Sequence, residues 1–95
     1  MAATATATPL ADVLAALSDP VRLRIVRTLA ADTEGRACGT FDLPVTKSTA
    51  SHHFKVLREA GIIDQELRGR TRHTTLRRDH LERRYPGLLE LVLHS

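Results

Sequence analysis

Residues 46–61 read TKSTASHHFKVLREAG. Thr46 is suited to cap a helix, because its hydroxyl can accept a hydrogen bond from a first-turn amide that has no partner inside the helix. Gly61 is suited to end that helix, where the chain commonly turns left-handed. With Ala50 set at zero and roughly 100° per residue, Phe54, Leu57 and Gly61 fall within about 40° of it. Ser48, His52, Lys55 and Glu59 lie opposite, His53 lies close to the buried edge, and Thr49 and Val56 flank one side. The two adjacent histidines therefore point in different directions. His52 faces outward, toward solvent or a ligand, and His53 turns toward the fold as a structural residue.

Beyond Gly61 the apolar period shortens to two. IIDQEL (62–67) and TRHTTL (71–76) read as strands joined by RGR around Gly69. Thr71, His73 and Thr75 would share one face and Arg72, Thr74 and Leu76 the other. A hairpin with arginines on both sides of its tip can lie along a phosphate backbone.

On the N-terminal side, Leu10, Val13, Leu14 and Leu17 recur at helical spacing after Pro9. Asp19 and Pro20 are an N-cap and a first-turn residue. The helix they open runs to about Ala31 and carries Val21, Leu23, Ile25, Val26 and Leu29, with Arg22, Arg24 and Arg27 on its wetter sides. Residues 32–45 contain Gly35, Gly39 and Pro44, and predict only a short irregular helix near 37–43. At the other end Asp79 can cap a turn through Arg84, and Pro86 restarts a helix carrying Leu88, Leu89, Leu91, Val92 and Leu93. That end is too apolar to be left in water, so it packs on its own core or on a second copy of the chain.

The totals agree with one small domain: 95 residues, of which 3% are aromatic, so aliphatic side chains must build the core. The Ala/Thr-rich residues 1–8 read as a disordered tail, and 9–95 as the domain. The net charge is only +3, with 14 Lys+Arg against 11 Asp+Glu, so its placement matters more than its sum. Between Lys47 and Arg84 lie Lys47, Lys55, Arg58, Arg68, Arg70, Arg72, Arg77, Arg78, Arg83 and Arg84. Such a run fits a polyanion-binding face or a plainly solvated one. The single Cys38 excludes an intrachain disulfide and a zinc ribbon, and it is more in keeping with a small apolar residue than with a sensor. The chain has neither a signal peptide pattern nor an apolar run long enough for a membrane span, and so reads as cytoplasmic.

The fold this order specifies is mainly α with a β-hairpin wing, a winged helix-turn-helix. Its recognition helix is about 46–60 and its wing 62–77. Such a helix enters the major groove N-terminus first, with short polar side chains at base edges. Catalysis is a poor reading. Ser51 beside His52, or Asp79 beside His80, would diverge by about 100° on a helix, and no Gly-rich phosphate loop is present.

Two stretches, ALSDPVRLRIVRTLA (16–30) and KSTASHHFKVLREAGII (47–63), resemble the central helix and the recognition helix of the ArsR/SmtB repressors of bacteria. The resemblance extends more loosely from about residue 10 to the end. It implies a homodimer paired through its first and last helices, bound to a partly palindromic operator and released by an inducer. The seam would then be Leu10, Val13, Leu14 and Leu17 with Leu88, Leu89, Leu91 and Val92. Base contacts would come from Ser48, Thr49, Ser51 and His52, and phosphate contacts from Lys47, Lys55, Arg68, Arg70 and Arg72.

The metal sites known in that family are incomplete here. Its Cys-x-Cys pair falls at Gly35 and Ala37, with Cys38 one residue away and alone. Of its C-terminal ligand set, which falls at Asp79, Leu81, Val92 and Ser95, only Asp79 matches. The fold needs no cofactor. Two alternatives stay open. One is a displaced zinc or nickel site across the dimer, made of His80, Glu90 and His94. The other is a winged-helix module whose effector is sensed by a second regulatory protein.

Overall fold

A computed structural model describes residues 9–94; the expected N-terminal tail lies outside them. The chain runs α1 (Leu10–Leu17), α2 (Pro20–Ala31), β1 (Arg36–Ala37), a single 3₁₀ turn (Cys38–Thr40), α3 (Lys47–Glu59), β2 (Ile63–Arg68), β3 (Thr71–Leu76), α4 (Arg78–Arg84) and α5 (Leu88–Leu93).

The boundaries read at Asp19, Thr46 and Gly61 from capping chemistry are where they were expected. Asp19 accepts hydrogen bonds from the backbone N–H groups of Val21 and Arg22 at 2.8 and 3.1 Å, and so starts α2. Thr46 Oγ1 does the same for the Thr49 N–H at 3.2 Å, and so starts α3. At the far end of α3, Gly61 has φ +78°. Its N–H donates to the Arg58 carbonyl, and the Ile62 N–H to the Leu57 carbonyl, both at 3.0 Å. This paired C-terminal cap reverses the chain into β2.

Three expectations are corrected. The segment near 37–43 is helical only as the single 3₁₀ turn Cys38–Thr40, and the strand β1, which was not expected, runs into it. Gly35 makes this possible, with φ +78°. A Cβ there would come within 2.5 Å of Thr75 Cγ2, 2.6 Å of the Thr74 carbonyl and 2.8 Å of His73 Nε2. Without a side chain the loop passes close enough to β3 for β1 to pair with it. Asp79 does not cap α4. It sits inside the first turn, after Arg78, where a carboxylate favours the positive end of the helix. The last helix starts at Leu88, not at Pro86.

The sheet is antiparallel, in the order β1-β3-β2. Its register sets Ile63 against Leu76, Gln65 against Thr74, and Leu67 against Arg72 on the face toward α3. Asp64 against Thr75, Glu66 against His73, and Arg68 against Thr71 occupy the other face. One core joins the helices to the root of the sheet: Val13, Ala16 and Leu17 from α1; Ile25, Val26 and Leu29 from α2; Phe54 and Leu57 from α3; then Ile62, Ile63, Leu81, Leu89 and Val92. Phe41 meets Phe54 edge to face at 5.1 Å between ring centroids. Among the described residues no helix is long and apolar enough to cross a membrane. A helical body with a hairpin projecting beside α3 is a winged helix-turn-helix.

Candidate nucleic-acid interface

The N-terminal half of α3 presents Lys47, Ser48, Thr49, Ser51, His52 and Lys55 at the surface. The Thr46 hydroxyl, besides capping, donates to Thr49 Oγ1 at 3.0 Å and approaches Ser48 Oγ at 3.4 Å. Thr49 is thereby tied to the cap, while Ser51 and His52 make no hydrogen bond among the described residues. His53 is buried, and its Nδ1 accepts from Arg22 Nη1 at 3.0 Å. The same Arg22 uses Nε to donate to the Ala16 carbonyl at 2.6 Å, and Asp19 Oδ2 stands 3.8 Å from the imidazole. The histidine pair divides as expected: His53 locks α3 to α2, and His52 is left outward.

The other wall of the site is the wing. Between it and α3 opens a cleft of about 410 Å³. Lys47, Lys55, Arg58 and Arg72 border it, with Ala50 and Phe54 beneath. Lys47, Lys55 and Arg72 have no ion pair among the described residues, so their charge is available to an incoming anion. Arg70 stands exposed at the hairpin tip, likewise unpaired among these residues. Arg68 is different. It is paired with Glu66 at 2.7 Å, on the sheet face away from α3. Of the five expected phosphate contacts, the structure brings three to one cleft, sets one at the tip and turns one aside.

Several arginines of the basic run prove to be structural. Arg78 Nη2 donates to the Ala30 carbonyl at 3.0 Å, satisfying the end of α2. Arg77 faces Asp64 at 3.7 Å. His73, half-buried on β3, has its Nε2 2.8 Å from the Glu34 carbonyl, tying β3 to the loop before β1.

The sequence reading missed Arg58 and Gln65. Arg58 Nη1 donates to Gln65 Oε1 at 2.8 Å, and Gln65 Nε2 donates to Cys38 Sγ at 3.0 Å and Thr74 Oγ1 at 3.1 Å. This chain of bonds holds the wing to α3. The signal for it was the flank Lys47, Ser51, Lys55 and Arg58, which lies on one side of the helix. Cys38 is half-buried, packed against the core and also in contact with these polar groups.

The residues expected at the dimer seam split in two. Val13, Leu17, Leu89 and Val92 are buried in the chain's own core, none more than 8% exposed. Leu10, Leu14 and Leu91 are 48%, 48% and 68% exposed, and Leu88 is half-buried. Where the thiol pair of the resembling family would fall, Gly35 and Ala37 instead serve the β1 crossing. His80 is on α4, with Glu90 in α5 and His94 just past its end. No three metal-ligating side chains gather among the described residues of one chain. Burial, then Arg77, Arg83 and Arg84, hold the His80 imidazole below its ordinary pKa of 6.5, with Asp64 opposing. A dication there would meet the same three guanidinium charges.

Residues 17–66 match the family described as helix-turn-helix domain. The chain is 42% identical over 84 residues to YceK of Bacillus subtilis (strain 168), an uncharacterized HTH-type transcriptional regulator, with 86% of this chain and 84% of that one covered. Its structure is similar to an ArsR-like transcriptional regulator from Rhodococcus sp. RHA1, with a TM-score of 0.70 and 25% identity over 86% of this chain and 77% of that one. It is also similar to the transcriptional repressor BigR from Xylella fastidiosa, with a TM-score of 0.69 and 27% identity over 87% of this chain and 78% of that one.

Proposed function

Because this chain belongs to the ArsR-like helix-turn-helix transcriptional regulators, we propose that it is a dimeric repressor which places α3 in the major groove of a partly palindromic operator. The observation that carries this reading is the convergence of Lys47, Lys55 and Arg72 on the cleft beside the exposed start of α3. Phosphates neutralised there fix the register of the helix. Ser48, Ser51 and His52 then meet base edges, with Thr49 held at the rim by its bond to the cap. Arg70 reaches the next stretch of backbone from the wing tip. The name of the BigR relative supports repression rather than activation.

Selection of bound duplexes from a random pool tests the reading. An enriched motif of two inverted half-sites about one helical turn apart is expected. His52→Ala should relax the base preference at fixed positions, whereas Lys55→Ala should weaken all sequences alike. If no motif emerges, or if the two variants behave identically in competition binding, α3 does not read DNA. The wing and helix would then serve a protein partner.

A further inference from the structure

The cleft between α3 and the wing is more than a phosphate rail. A rail needs only cations at its rim. This one also has an apolar floor, Ala50 and Phe54, under Lys47, Lys55, Arg58 and Arg72. Its volume of about 410 Å³ lies in the range of small-molecule sites, roughly 300–1,000 Å³, whose usual make-up is an apolar body with a few convergent polar groups. The wall is also pre-set. Arg58 is fixed by its bond to Gln65, and Gln65 is fixed in turn by Cys38 and Thr74, which leaves the other guanidinium N–H groups of Arg58 for an anion.

We propose that this cleft is a binding site for a small organic carboxylate, its charge among the four cations and its apolar body on Phe54, and that its occupancy excludes DNA. A carboxylate accepts two parallel N–H bonds from a guanidinium, and a flat apolar body covers the floor. The exclusion follows from shared charges. Lys47, Lys55 and Arg72 cannot serve the ligand and a DNA phosphate at once. This second half rests on the DNA reading above; the binding itself does not.

Benzoate is the probe, titrated into the free 95-residue chain at ionic strength held constant with sodium chloride, and followed by ¹H–¹⁵N NMR. Saturable shifts centred on Gly39, Arg58, Gln65 and Arg72 are expected, with acetate, which lacks the apolar body, binding more weakly. Gly39 lines the cleft with open space where a side chain would begin. Gly39→Leu should therefore fill the cleft without strain, and Arg58→Gln should remove the guanidinium. Each should weaken benzoate on the order of tenfold, the loss of one good contact, with the spectrum of Gly39→Leu otherwise unchanged and that of Arg58→Gln altered only around its Gln65 partner and the wing. Shifts that do not saturate, that scatter over the surface or that ignore both substitutions would overturn the site. Displacement of a bound duplex by benzoate, but not by equal chloride, supports the exclusion; benzoate binding with the duplex undisturbed overturns it. A chain that binds no duplex at all sinks the DNA reading alone, and the NMR titration still decides the site.

Discussion

Asp19 sits where α1, α2 and α3 meet. Its carboxylate accepts two backbone N–H groups and lies 3.8 Å from the His53 ring. The bond from the Arg22 N–H leads in holding its pKa below the ordinary 3.8, with partial burial opposing and the Val21 N–H, His53 and Arg22 charge assisting. The folded state therefore prefers the charged form. The stabilisation is whole above the unfolded value and is lost as the pH falls through the lower folded value. Asp19→Ala should cost about 1 kcal/mol near neutrality, the usual worth of such a cap. The gap from wild type should close in acid, as read by urea unfolding at several pH values. A gap that stays constant into acid would mean the cap is not its source. His80 carries the same sign at higher pH. Its neutral form is favoured by burial and by Arg77, Arg83 and Arg84, so its contribution is complete above about 6.5 and declines as the ring is forced to take a proton in the fold. His80→Gln should flatten the stability profile just below that pH. An unaltered profile would place the sensitivity elsewhere.

At the scale of elements, α3 was legible because everything that defines it is local: the Thr46 cap, the stripe of Ala50, Phe54 and Leu57, and the turn at Gly61. β1 was not. Two residues carry no period, and their pairing is with Thr74 and His73, far along the chain. For the same reason the basic run could be seen but not sorted. Whether an arginine meets Glu66, the Ala30 carbonyl or nothing is settled only by the fold. The hidden strand makes Gly35 a sharp test. Gly35→Ala keeps the positive φ and adds three contacts under 3 Å, so it should destabilise the chain by roughly 1–3 kcal/mol and speed hydrogen exchange in β3. A neutral Gly35→Ala would mean that β1 can leave the sheet freely. The wing offers a second contrast. Arg72→Ala should make the dependence of DNA affinity on salt shallower by about one ion. Arg68→Ala should alter it less, because Glu66 already holds that charge. Equal slopes for the two would remove the cleft-facing wall from the interface.

For the molecule as a whole, the remaining question is what covers its exposed leucines. A chain of this size buries only a modest core, and Val13, Leu17, Leu89 and Val92 are already spent on it. Leu10 and Leu14 on the first helix and Leu91 on the last are left substantially in water. Apolar side chains exposed on both terminal helices fit a self-complementary two-fold interface, which would also supply the second α3 that an inverted repeat requires. The combined Leu14→Asp, Leu91→Asp variant tests this without touching the core. It should sediment as a monomer with its helical circular dichroism intact, since neither side chain is buried in the fold. Its affinity for an isolated half-site should match wild type. Its affinity for the full operator should fall on the order of a hundredfold, because linking two reading heads multiplies their grip. If the variant remains dimeric, the seam lies on another face. If it is monomeric yet keeps full operator affinity, one subunit suffices and the palindrome is not what the protein reads.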